Sequence, residues 1–87
     1  MKKIERILKA LANRRRLAIV LYLKKAKEDT VGDVAAEINL SFKATSKHLA
    51  VLYAADIVEK EQRSLMMFYR LSPNLHHLAK YISNSRE

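Results

Sequence analysis

Apolar residues recur along this chain first at the spacing of a helix and, late in the sequence, at the spacing of a strand. Ile4, Ile7, Leu8 and Leu11 fall at i, i+3, i+4 and i+7, which predicts a helix over residues 2–12. Asn13 is placed to cap a second helix over 14–25. Its expected buried stripe is Leu17, Val20 and Leu21 with the stem of Lys24, and Lys24, Lys25 and Lys27 suit the C-terminal end, where the helix dipole favours cations. Thr30 with Asp33 forms a capping-box variant that opens a short helix over 31–38, packed through Val31, Val34, Ala35 and Ile38. Ser41 caps a fourth helix over 42–55. Only Asn39, Leu40 and Ser41 separate these two, the spacing of a helix-turn-helix and of many helical hairpins.

After Asp56 the period shortens towards two. Ile57, Val58 and residues 65–71 predict a two-stranded hairpin about the polar break Gln62, Arg63 and Ser64. That break has no glycine, which predicts a loop other than a standard two-residue turn. Ser72 and Pro73 then suit an N-cap and the first helical position. Leu75, Leu78, Ala79 and Ile82 return to helical spacing in a last helix ending near Asn84. The expectation is one domain over 1–87, mainly α with a β-hairpin, in the order α-α-α-α-β-β-α.

Charge sharpens this picture. Of a net +8, residues 1–27 carry +9, residues 28–40 carry −4 and residues 41–55 carry +2. The N-terminal cations alternate with apolar residues and therefore line helix faces; they are not a tail. A pI near 10.0 calls for a polyanionic partner, nucleic acid or an acidic membrane surface. The longest apolar run, residues 17–23, is far short of the roughly 20 residues of a membrane span, and the start has no cleavable leader pattern, so no membrane role is expected. The absence of cysteine excludes disulfides, thiolate metal sites and a thiol nucleophile, and suits a reducing cytoplasm. With no phosphate-cradling glycine loop and no histidine–carboxylate pair in sequence reach, neither an enzyme nor a cofactor is expected. An 87-residue chain has a marginal core of its own, which favours an oligomer interface.

In the fourth helix, Thr45, His48, Leu49 and Leu52 share one face, and Phe42, Lys43, Ser46, Lys47 and Ala50 the other. The second face carries two cations, a hydroxyl and no carboxylate. It suits a DNA major groove, where lysine and serine can donate to base edges or phosphates and Phe42 can meet a thymine methyl; it equally suits a plain solvated face. Arg14 and Arg15 open the second helix against its dipole, which fits contacts to flanking phosphates as well as solvent exposure.

These segments together resemble the ArsR family of winged-helix transcriptional repressors over almost the whole length. The family's leucine-rich helix, polar turn and Arg-Leu-x-Ile-Leu are similar to residues 8–12, Asn13 and Arg16-Leu17-Ala18-Ile19-Val20. Its recognition-helix pattern is matched by Ser41, Ser46, Lys47, His48, Leu49 and Leu52, its Gly-Leu-Val by Asp56-Ile57-Val58, and its Tyr-x-Leu by Tyr69-Arg70-Leu71. The resemblance implies a homodimeric winged helix-turn-helix that binds double-stranded DNA at an inverted-repeat operator. The fourth helix would read the groove, and a wing over about 58–71, with Arg63, would lie on the flanking backbone. Dimerisation would use the first and last helices, through Ile4, Ile7, Leu8, Leu11, Leu75, Leu78 and Ile82. Arg16, matching the family's arginine, would be structural.

The departures are specific. Asp56 and Ser64 stand where the family has glycine, which puts the wing's shape in question, and Phe42 stands where it often has a polar DNA contact. The family's thiol sensors are chemically impossible here. Its last-helix zinc site would need an aspartate and a second histidine, where this chain offers Asn74, His76 and Glu87, so no metal is expected. His48 reads as a core histidine with a local hydrogen bond. Met66 and Met67 read as one exposed and one core-facing strand residue. A protein-assembly module and an RNA-binding domain are the competing functions.

Overall fold

A computed structural model describes residues 2–73 and 75. Helices α1 (Lys2–Leu11) and α2 (Arg14–Ala26) are followed by a short strand β1 (Glu28–Thr30), helices α3 (Val31–Ile38) and α4 (Phe42–Ala54), and strands β2 (Val58–Arg63) and β3 (Met66–Leu71). The caps form as the sequence predicts. Asn13 Oδ1 accepts from the Arg16 amide at 3.1 Å, Thr30 Oγ1 from Asp33 at 3.3 Å and Ser41 Oγ from Ala44 at 3.1 Å.

Asn39 closes α3 in a left-handed conformation (φ 56°), with the Leu40 amide donating to Ala35 O at 3.0 Å. The turn between α3 and α4 is thereby fixed from both sides. Asp56 closes α4 in the same way (φ 63°), the Ile57 amide donating to Leu52 O at 2.9 Å, so this aspartate takes the conformation that favours glycine.

The core joins Ile7 and Ala10 of α1, Ile19 and Leu23 of α2, Val34 of α3, and Leu49 and Leu52 of α4 to Ala55, Ile57 and Val58. Four expectations are corrected. In α2 the buried residues are Ile19 and Leu23, while Leu17 is exposed and Leu21 is 67% exposed. Residues 17–23 are apolar on every side, so their periodicity does not select a face. In α1, Ile4 and Ile7 are buried within the chain, Leu11 is half-buried against the core, and only Leu8 is largely exposed, at 52%. Ile7 is therefore a core residue and not a free interface residue.

The sheet, lastly, has three strands in the order β1-β3-β2, all antiparallel. Glu28 pairs with Arg70, and Arg63 pairs with Met66, which leaves only Ser64 and Leu65 in the hairpin loop. The loop is thus a two-residue turn despite the missing glycine. Ser64 has φ 58° and Leu65 is not left-handed, the pattern of a type II′ turn with serine in the glycine position.

Ser72 extends the hairpin's base by donating its amide to Ile57 O at 2.9 Å, and Leu75 packs on the core. The remainder of the expected last helix, with Leu78 and Ile82, lies outside the described residues. Among the described residues no helix is long and apolar enough to cross a membrane.

Candidate nucleic-acid interface

The back of α4 anchors its front. Thr45, Leu49 and Leu52 are fully buried, so the residues opposite them must face outwards: Phe42 is 62% exposed, Lys43, Lys47 and Ala50 are exposed, and Ser46 is half-buried. Sequence periodicity separates these faces correctly. Neither lysine has an ion-pair partner among the described residues. The Thr45 hydroxyl is buried with no hydrogen-bond partner, which makes it a packing residue with an unmet polar atom.

His48 sits between the two faces and is tied to the rest of the fold by Arg16. The Arg16 guanidinium donates through Nε to Ala10 O at 2.6 Å, reaches Lys9 O at 3.5 Å, and lies 3.2 Å from His48 Nδ1. One cation therefore caps the end of α1 and braces the middle of α4. The bond to His48 spans 32 positions and is not the local one expected from the sequence.

An arginine can only donate, so Nδ1 accepts and His48 is neutral. Burial, then the charges of Arg16 and Arg15, hold its pKa below the usual value of 6.5. Arg14 and Arg15 themselves are exposed at the start of α2.

The hairpin has a different character. Arg63 forks onto Glu28 at 2.5 and 2.8 Å and reaches Glu61 at 3.0 Å, with its guanidinium 4.6 Å from the Phe68 ring centroid. Arg70 bonds Glu59 at 2.6 Å and Glu61 at 2.8 Å. These hydrogen bonds lower the pKa values of Glu28 and Glu61 and raise those of both arginines. Three carboxylates and two guanidiniums thus form one network of net charge −1 across three strands. Arg63, expected on a DNA backbone, is one member of this network.

On the other face of β2, Lys60 lies 4.4 Å from the Tyr53 ring centroid and ties the hairpin to α4. β1 is tied to α2 by the Tyr22 hydroxyl, which donates to Asp29, and this bond pushes the Tyr22 pKa up to about 12.

Sequence reasoning missed this network. Its signal was present in the alternation of Glu59, Glu61 and Arg63, which period two puts on one face. It also missed Leu65, which reads as a strand residue and stands 96% exposed at the hairpin tip. Among the described residues no three His, Asp or Glu side chains are grouped to hold a metal, and His76 and Glu87 lie outside them.

Comparison with known proteins gives this geometry a context. The family "Bacterial regulatory protein, arsR family" matches residues 13–60, more than half of the chain. The transcriptional activator HlyU of Vibrio cholerae is 39% identical over 66 residues, 76% of this chain, and the chain spans 60% of that protein's length. The solved structure of HlyU from Vibrio cholerae superposes with a TM-score of 0.78 at 31% identity, covering 99% of this chain and 95% of that one. A homodimeric winged helix-turn-helix DNA-binding domain from Mycobacterium bovis, a possible ArsR-family regulator, gives a TM-score of 0.80 at 26% identity over 95% of this chain and 80% of that one. The family match over α2, α3 and α4 and the superposed folds agree: the chain belongs to the ArsR family of bacterial regulatory proteins and has a winged helix-turn-helix fold.

Proposed function

We propose that this ArsR-family regulator binds double-stranded DNA sequence-specifically as a homodimer and represses transcription by occupying an inverted-repeat operator in the cytoplasm. Its work is binding and not catalysis. The observation that carries this reading is the division of α4. One side is fully buried, and the other presents Phe42, Lys43, Ser46 and Lys47 with no carboxylate among them. A helix about 10–12 Å across, held by its back, fits the roughly 12 Å major groove. Arg14 and Arg15 meet flanking phosphates, and the surplus cations of α1 and α2 steer the approach.

Leu8, exposed on α1, together with the C-terminal segment that the sequence pattern predicts to be helical, supplies the dimer contact, which sets two α4 helices about 34 Å apart, one DNA turn. Fluorescence anisotropy with duplex DNA, structured RNA and an acidic protein competitor at two salt concentrations tests the reading. It requires steep salt dependence and a preference among DNA sequences. Equal binding of RNA, or preference for the acidic protein, would mean a different function.

A further inference from the structure

The wing's two guanidiniums are paired within the wing and its neighbouring strand. Its two arginines are bound to Glu28, Glu59 and Glu61; those five groups sum to −1 and Lys60 brings the total to zero, so the hairpin has no surplus of cations to offer phosphates. What it presents instead is apolar. Leu65 is 96% exposed at the very tip, and Met66 beside it is 51% exposed.

A scattered surface leucine has no special meaning, but this one is held out deliberately by the fold. Along β2, Val58 is buried, Glu59 is half-buried and every residue from there to the tip is exposed, while on β3 Tyr69, opposite Lys60, still packs on the core, so the three strand positions beyond Lys60 carry the turn about 10 Å outward. The turn is tight, with Ser64 left-handed and Gln62 Nε2 donating to Ser64 O at 3.3 Å. The ion network stiffens both strands just behind it. The result is a rigid hairpin, locally neutral, ending in one bare aliphatic side chain.

We propose that Leu65 is an apolar wedge that enters the DNA minor groove beside the site held by α4 and partly unstacks one base step. Aliphatic side chains at such points open base steps, and the cost of opening depends on the step. Pyrimidine–purine steps, TA and CA/TG, yield most readily. The wing thereby selects flanking sequence by deformability and without hydrogen bonds to bases. The hairpin root is fastened to α4 through the Lys60–Tyr53 contact, so the wedge position is fixed relative to the major-groove reading. This inference rests on the DNA-binding reading above.

The test is selection of duplexes from a random-sequence pool by the wild type, Leu65→Ala and Leu65→Lys, followed by affinity measurements on the selected duplex over a range of salt. The wild type should enrich a paired half-site with pyrimidine–purine steps outside it. Leu65→Ala should keep the half-sites, lose the flanking steps, and bind the wild-type duplex about tenfold more weakly with an unchanged salt slope. Leu65→Lys should steepen the slope without restoring the flanking preference. Wild-type selection of half-sites with random flanks, or identical flanks in all three proteins, overturns the wedge and leaves the DNA-binding reading intact. Enrichment of no sequence by the wild type overturns both.

Discussion

Arg16 connects α1 to α4, and its removal should be felt in both. In Arg16→Ala the carbonyl of Ala10 loses a 2.6 Å charge-assisted bond, the weaker contact to Lys9 O goes with it, and His48 Nδ1 loses its donor. Charge-assisted hydrogen bonds contribute about 1.5–3 kcal/mol each when well formed; with the guanidinium half-buried and one contact long, the set amounts to about 2 kcal/mol. In a domain of this size that corresponds to a fall in Tm of about 10 °C.

Urea unfolding at a protein concentration that keeps any dimer saturated measures the loss. NMR titration of His48 gives an independent reading. Its pKa should rise towards 6.5 when the nearby cation is removed, but should stay below that value because burial, the larger cause, persists. Arg16→Lys separates the two effects: it keeps the charge and so the low His48 pKa, but cannot reproduce the fork and should still lose about 1 kcal/mol. A stability change under about 0.5 kcal/mol in Arg16→Ala, with an unmoved His48, would refute the bracing role.

The neutral His48 also predicts a pH dependence. Its folded pKa lies below its unfolded value of about 6.5, so the contribution to stability is complete above that pH and is lost as pH falls from there towards the folded pKa. His48→Gln should flatten the stability curve over that window in thermal melts. The chain's one glycine, Gly32, lies in α3 with open space around its Cα, whereas Asp56 and Ser64 take left-handed conformations without glycine. Gly32→Ala and Ser64→Gly should each stabilise by about 0.5–1 kcal/mol, and Asp56→Gly by somewhat less, in urea titrations. Leu8→Lys should give monomers in size-exclusion chromatography with light scattering; a persistent dimer would place the interface elsewhere.

Much of the fold was legible because its signals are local. Asn13, Thr30 and Ser41 cap helices through side-chain bonds to amides three residues on, and those bonds need no knowledge of tertiary structure. The split of α4 was equally legible, since lysine and leucine alternate at helical period over its length. The buried face of α2 was not, because a helix apolar on all sides takes its orientation from what packs against it. β1 was missed because three polar-rich residues between two helices carry no alternation, and only pairing with β3 makes them a strand.

The wing's chemistry was hidden for a related reason. Arg63 looks available for phosphate until Glu28, 35 positions away, is brought beside it by that same third strand. Leu65 has the composition of a core residue, and only the register Arg63↔Met66 puts it at the tip.

The proposed contact of Lys43 and Lys47 with DNA is read out by the salt dependence of binding in the Lys43→Gln/Lys47→Gln double variant. Both side chains are exposed, so the fold should be untouched, and circular dichroism and urea unfolding should match the wild type. Each neutralised phosphate contributes about 0.9 to the slope of log K against log salt. With two α4 helices in the proposed dimer, the double variant should lose about 2 to 4 from that slope and most of its affinity for a selected duplex. An unchanged slope with unchanged affinity would contradict the placement of α4 in the major groove.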